Sequence, residues 1–90
     1  MIARKLYISG EVQGVGFRFF AQRAAAKHQV RGYVRNLDDG RVEAFVQGAE
    51  KSVNSFRDDM TAGPSYSRVD SVEEVVVDTD KKFITFRIEK

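Results

Sequence analysis

The sequence predicts an α+β domain in which an antiparallel sheet is covered on one face by two helices. Segments in which every second residue is apolar are interleaved with two segments in which apolar residues recur at helical spacing. Asp39 and Gly40 form a strong hairpin signal between two of the alternating segments. The chain has 90 residues, of which 42% are hydrophobic and 31% charged, so we expect residues 1–90 to form a single domain with one core.

The first predicted strand and the first predicted helix flank a glycine-rich segment. Arg4–Ser9 alternates, with Leu6 and Ile8 on one face, and this period of two is typical of a strand. Phe17–His28 is predicted to be a helix because one set of its residues recurs three and four positions apart. That set is Phe17, Phe20, Ala21, Ala24, Ala25 and His28. The glycine-rich segment therefore leads from a strand into the N-terminus of a helix.

A hairpin and a second helix are predicted next. Val30–Asn36 and Arg41–Gln47 both alternate, and the Asp-Gly turn lies between them. Ala49–Met60 repeats its apolar residues at helical spacing, and the Gly-Pro pair at positions 63 and 64 ends this helix.

Two further strands close the predicted domain, at Val69–Val77 and Lys82–Ile88. The predicted order is then β-α-β-β-α-β followed by one more strand. This is the order of the ferredoxin-like split βαβ arrangement, an α+β sandwich with an antiparallel sheet and both helices on one face.

Composition excludes several kinds of site. There is no cysteine, so disulfides and thiolate chemistry are absent, and the one histidine excludes a histidine-rich metal site. We expect no metal and no cofactor. No apolar run approaches the roughly 20 residues of a membrane span, and no secretory pattern opens the chain, so we expect a cytoplasmic protein with no membrane partner.

Positive charge is concentrated around the glycine-rich segment. Positions 12–37 contain five basic residues and no acidic one, whereas positions 38–80 contain eleven acidic residues and four basic. A concentrated positive potential favours a small anion. An ordinary solvated surface would also account for this charge.

The glycine-rich segment itself has the composition of an anion-binding loop. Glycine permits the positive-φ turns that direct successive N–H groups inward, and the following helix adds unpaired N–H groups and a positive dipole end. The predicted backbone donors are Glu11, Val12, Gln13, Gly14, Val15 and Gly16. Arg18 would lie in the first helical turn, where a cation is mildly unfavourable unless an anion lies beside it. These features predict a phosphate-sized ligand.

Asn36 is a candidate polar residue on the same side of the domain. Strand parity places it with Val30 and Val34 on the face that the helices should cover. An unpaired buried amide costs about 1–3 kcal/mol, so Asn36 should meet backbone at the strand end or a polar group near the glycine loop. A turn-starting role before Asp38 is an adequate alternative.

Two long motifs in this chain resemble those of the acylphosphatase family. Residues 10–18 read G-E-V-Q-G-V-G-F-R, similar to the family's G-x-V-Q-G-V-x-F-R. Gly32-Tyr33-Val34-Arg35-Asn36, with glycines following at 40 and 48, is similar to its second motif. The resemblance covers essentially the whole chain, and Leu37 replaces a threonine found in some members.

The resemblance implies an enzyme that hydrolyses acyl phosphates to a carboxylate and inorganic phosphate, without metal or cofactor. By the same resemblance, Arg18 and the loop amides would bind the phosphate and Asn36 would orient the attacking water. The residues are consistent with this reaction on other grounds. A carboxylate leaving group has a conjugate acid with a pKa of about 4 and needs no protonation. From Val12 to Leu37 the chain contains no Asp, Glu or Cys, and its only Tyr and His there are Tyr33 and His28. His28 lies about 15 Å along the helix from Arg18 and is interpreted as a helix C-terminal residue.

Two other functions compete with this one. A nucleic-acid-binding module is possible because aromatic and basic residues share the face opposite the helices. These are Tyr7, Tyr33 and Phe45 with Lys5, Arg31, Arg35 and Arg41. A non-catalytic anion-binding domain, or a carbamoyl-phosphate site within a larger protein, is the second alternative. We expect neither of these functions. The predicted partner is a small acyl phosphate and not a nucleic acid, and the predicted oligomeric state is a monomer.

Overall fold

The computed structural model describes all residues from Met1 to Lys90. A five-stranded sheet packs against two helices. The elements are β1 (Ile2–Glu11), α1 (Phe17–His28), β2 (Arg31–Asn36), β3 (Val42–Gly48), α2 (Glu50–Ala62), β4 (Arg68–Val77) and β5 (Phe86–Glu89). The strand order is β4-β1-β3-β2-β5. This order of elements confirms the predicted ferredoxin-like arrangement. Neither helix has the length and the apolar composition that a membrane-spanning helix requires.

The sheet is antiparallel, as expected, except at one edge, where a parallel pair makes it mixed. β1 pairs antiparallel with β3 and β4, and β2 pairs antiparallel with β3, but β5 runs parallel to β2. After β4 the chain must reach the opposite edge of the sheet, and it enters that edge in the direction of β2. Alternation of apolar residues carries no information about this direction, because it is the same in parallel and antiparallel pairs.

The segment between β4 and β5 explains why the last strand is shorter than predicted. Phe83 lies against Phe45 and Tyr33 on the face opposite the helices, with ring centroids 5.3 and 5.4 Å apart. The buried amide of Gln47 fixes this segment, since it donates to the carbonyl of Asp80 at 2.8 Å and accepts from the N–H of Asp80 at 2.8 Å. The residues before position 86 therefore cover a sheet face instead of extending the strand.

The main core lies between the helices and the sheet. It contains 15 buried residues, including Leu6 and Ile8 from β1 and Phe17, Phe56 and Met60 from the helices. The apolar faces predicted from helical and strand spacing are the faces that meet here. This packing fixes the N-terminus of α1 beside the end of β2, which positions the site described next.

Candidate active site

The loop between β1 and α1 presents backbone N–H groups that have no partner within the chain. Gly14 and Gly16 have φ of 73° and 75°, a left-handed conformation that L side chains disfavour by about 1–2 kcal/mol. Gly16 is the N-cap of α1, and the first turn contains no acidic residue. None of the backbone N–H groups of residues 13–19 donates a hydrogen bond to another atom of the chain. The loop and helix start are thus arranged as an anion cradle.

Arg18 and Asn36 both line a cavity of about 320 Å³ above this loop. The complete lining is Val12, Gly14, Gly16, Phe17, Arg18, Phe19, Asn36, Ile88 and Lys90. The structure therefore brings together two residues that are 18 positions apart in the sequence. Arg18 lies in the first turn of α1 and Asn36 at the end of β2, so the two residues border the same cavity from different elements.

The guanidinium group of Arg18 is free of any carboxylate. Its Nη1 donates one long hydrogen bond, 3.3 Å, to the carbonyl of Glu89 at the end of β5. Arg18 belongs to none of the ion pairs of the molecule. A guanidinium that keeps most of its donors available can bind two oxygens of a phosphoryl group at once.

The side-chain amide of Asn36 is also available. Asn36 is the last residue of β2, faces Val42 across the hairpin and is only half-buried. Its amide makes no hydrogen bond within the chain. The turn that follows is satisfied by backbone bonds from Leu37 to Arg41, so the turn-starting role does not occupy this amide.

Gln13 has a structural role that the sequence analysis missed. Its Nε2 donates to the carbonyl of Leu37 at 2.7 Å and to the carbonyl of Arg41 at 2.9 Å. These bonds tie the anion loop to the turn that begins one residue after Asn36. The sequence predicted only a backbone role for Gln13, and no local signal points to partners 24 and 28 positions away.

Two of the other predicted loop residues lie outside the cavity. Glu11 is the last residue of β1, and its carboxylate accepts a hydrogen bond from Arg68 at 2.7 Å. Val15 lines a separate surface depression beside Tyr66. His28 is remote from the cavity: its Nε2 lies 2.7 Å from the carboxylate of Asp59 and joins the C-terminal end of α1 to α2.

The opposite face of the sheet contains a buried carboxylate that stabilises the end of β2. Glu43, only 3% exposed, accepts hydrogen bonds from the hydroxyl of Tyr33 at 2.9 Å and from Nε of Arg35 at 2.7 Å. Burial by itself would raise the pKa of Glu43, but hydrogen bonds from Tyr33, Tyr7 and Arg35 outweigh it and lower that pKa. Burial and the bond to Glu43 together raise the pKa of the Tyr33 hydroxyl.

These contacts also account for three of the aromatic and basic residues of that face, Tyr33, Phe45 and Arg35. Phe45 is buried and stacks on Tyr33 with ring centroids 5.8 Å apart, while Phe83 covers both rings. Arg35 forms an ion pair with Glu43. The rings of Tyr33 and Phe45 are therefore packed against Phe83, which removes two of the three aromatic side chains that could have stacked on bases.

The fold and the site together define a ferredoxin-like α+β domain with a strand–loop–helix anion cradle at one end of the sheet. Comparison with known proteins identifies the family: the acylphosphatase family model matches residues 4–88, and the chain belongs to this family. An acylphosphatase of Clostridium perfringens is 45% identical over 89 residues, spanning 96% of this chain and all of the relative.

Solved structures agree with this assignment. The crystal structure of acylphosphatase from Bacillus subtilis superposes with a TM-score of 0.95 at 34% identity and covers 100% of both chains. A similar unit occurs in full-length HypF, solved in a phosphate- and nucleotide-bound form, with a TM-score of 0.87 at 32% identity. That match covers 99% of this chain but only 12% of HypF. Family membership makes this chain a hydrolase acting on acyl phosphates.

Proposed function

We propose that the anion loop and Arg18 bind the phosphoryl group of an acyl phosphate while Asn36 orients the water that attacks it. The observation that carries this proposal is the set of N–H groups of residues 13–19 without acceptors, located beside an unpaired guanidinium and a free side-chain amide. Of these residues, Gly14 and residues 16–19 line the cavity, as does Asn36, so backbone N–H groups, a guanidinium and a side-chain amide are available there. Phosphoryl transfer requires mainly positioning and stabilisation of negative charge, which these donors supply.

In the proposed reaction the oxygen of water attacks phosphorus and the bond between phosphorus and the acyl oxygen breaks. The carboxylate leaves with the bonding electron pair, and the proton of the water passes to a phosphate oxygen. A carboxylate is a stable leaving group because its acid has a pKa of about 4. The only ionisable side chains that line the cavity are those of Arg18 and Lys90, both of which favour the anionic substrate.

The roles of Arg18 and Asn36 predict different kinetic effects. Arg18→Gln should raise KM and lower kcat, because the guanidinium binds the phosphoryl oxygens of the substrate and binds them more strongly as charge develops in the transition state. Asn36→Ala should lower kcat by about 10²-fold with little change in KM, since orientation of the water matters chiefly in the transition state. Arg31→Gln and Asn54→Ala are matched controls away from the cavity and should leave both constants unchanged.

The test is release of inorganic phosphate from benzoyl phosphate and acetyl phosphate, with para-nitrophenyl phosphate as the monoester control. The phenolate that leaves this monoester is a stronger base than a carboxylate and gains more from protonation, for which the cavity offers no carboxylic acid or histidine. Faster hydrolysis of the monoester would contradict the proposal. Full activity in a folded Asn36→Ala variant would contradict the role of that amide, and phosphate binding without turnover would favour a purely anion-binding domain.

A further inference from the structure

Part of the cavity wall is formed by apolar side chains, which take no part in binding the phosphoryl group even where the backbone N–H of the same residue belongs to the anion cradle. Phe19 follows Arg18 in the first turn of α1, lines the cavity and is 65% exposed. Its neighbours in the helix differ: Phe17 is buried, and Phe20 packs against the core and against Phe17 with centroids 5.9 Å apart. Ile88 of β5 lines the cavity as well and is half-buried.

The size of the cavity leaves room for this wall to contact a substrate. At about 320 Å³ it matches the lower end of pockets that hold small organic ligands, roughly 300–1,000 Å³, and it exceeds what a phosphoryl group needs. An in-line displacement places the leaving group on the side of phosphorus opposite the attacking water. With water held at Asn36, the acyl group would extend away from that amide and into the rest of the cavity.

We infer that Phe19 and Ile88 form an acyl subsite, and that the enzyme prefers acyl phosphates whose acyl group is apolar and about the size of an aromatic ring. The inference rests on the proposed function, since it assigns the second half of the same substrate. An exposed phenyl ring beside the reacting group gains contact only when an apolar group covers it. An acetyl group is too small to do so, whereas a benzoyl group can stack on the ring.

Lys90 is the one lining residue that would favour a different substrate. Its ammonium group could pair with a second anionic group on the acyl part, as in succinyl phosphate. The apolar wall formed by Phe19 and Ile88 would then make no contribution to substrate choice. The experiment therefore includes an anionic acyl phosphate beside the apolar one.

The test compares kcat/KM for benzoyl, acetyl and succinyl phosphate in the wild type and in Phe19→Ala. We expect Phe19→Ala to lower kcat/KM for benzoyl phosphate about tenfold and to change that for acetyl phosphate less than about twofold. Alanine is a better helix former than phenylalanine, so α1 should persist. Phe19→Leu keeps an apolar side chain and should retain part of the preference.

Ile84→Ala is the matched control, because Ile84 is 75% exposed and lines no cavity. It should change none of the three values. An equal fall for benzoyl and acetyl phosphate in Phe19→Ala would overturn the subsite, as would no change in either. A preference for succinyl phosphate that disappears in Lys90→Ala would also overturn it. If the wild type hydrolyses no acyl phosphate, the proposed function itself fails.

Discussion

Gln13 should determine the rate of the reaction through the position of Asn36. We consider Gln13→Met, which keeps the length of the side chain and the backbone N–H of the loop but removes both hydrogen-bond donors. The two bonds, at 2.7 and 2.9 Å, are the direct side-chain link between the anion loop and the β2–β3 turn. Without them the loop that holds phosphorus and the strand end that holds the water can shift relative to each other.

The stability cost can be worked out from the bonds that remain. The carbonyl of Leu37 still accepts from Gly40 at 3.2 Å, and the carbonyl of Arg41 still accepts from Leu37 at 2.8 Å. No carbonyl is left unpaired, so each lost bond should cost only about 0.5–1.5 kcal/mol and the pair about 1–3 kcal/mol. A domain of this size should remain folded at 25 °C after such a loss.

Gln13→Met should lower kcat by more than its small effect on the free energy of unfolding would suggest. A displacement of about 1 Å between reacting groups can reduce a rate about 10²-fold, so we expect kcat for benzoyl phosphate to fall about 10- to 100-fold. Inhibition by inorganic phosphate should change little, because the loop N–H groups and Arg18 are intact. Gln22→Met is the matched control: Gln22 donates one exposed bond of 3.4 Å to the carbonyl of Phe86 and should leave kcat unchanged.

A double-mutant cycle decides whether Gln13 acts through Asn36. If it does, Gln13→Met should lower kcat less than about twofold in an Asn36→Ala background, since the amide that it positions is already absent. An equal reduction in both backgrounds would refute the reasoning, because Gln13 would then act independently of that amide. An unchanged kcat in the single variant would refute it directly.

Two further predictions follow from the loop and from the buried carboxylate. Gly14→Ala should lower the free energy of unfolding by about 1–2 kcal/mol and weaken inhibition by inorganic phosphate. No atom lies within 4 Å of the added Cβ, so the loss of stability comes only from the left-handed backbone conformation. Thermal denaturation and phosphate inhibition measure the two effects, and unaltered phosphate inhibition would contradict the cradle. The pKa of Glu43 is lower in the folded protein than in the unfolded chain. The ionised carboxylate therefore stabilises the fold at pH values above the unfolded pKa of about 4.3, and this stabilisation is lost as the pH falls through the folded pKa. Glu43→Gln should therefore flatten the decline in stability below about pH 4.5 in acid denaturation, whereas an unchanged slope would contradict this account.

The sequence by itself determined the local elements, and it predicted most of the residues of the candidate site. Period-two and helical spacing located every strand and both helices to within a few residues, except that β5 begins at Phe86 instead of Lys82. The glycine spacing predicted the anion loop, and strand parity directed Asn36 to the face of the helices. These features are local because backbone conformation and side-chain direction depend on neighbouring residues.

Tertiary structure decided what depends on distant parts of the chain. The parallel pairing of β5 with β2 follows from the path of the chain across the sheet, which apolar alternation does not encode. The partners of Gln13, the burial of Glu43 and the position of Phe19 at the cavity depend on contacts between elements far apart in sequence. The sequence specifies the type and the spacing of the side chains. Which side chains contact one another is decided only when the helices pack on the sheet and bring distant parts of the chain together.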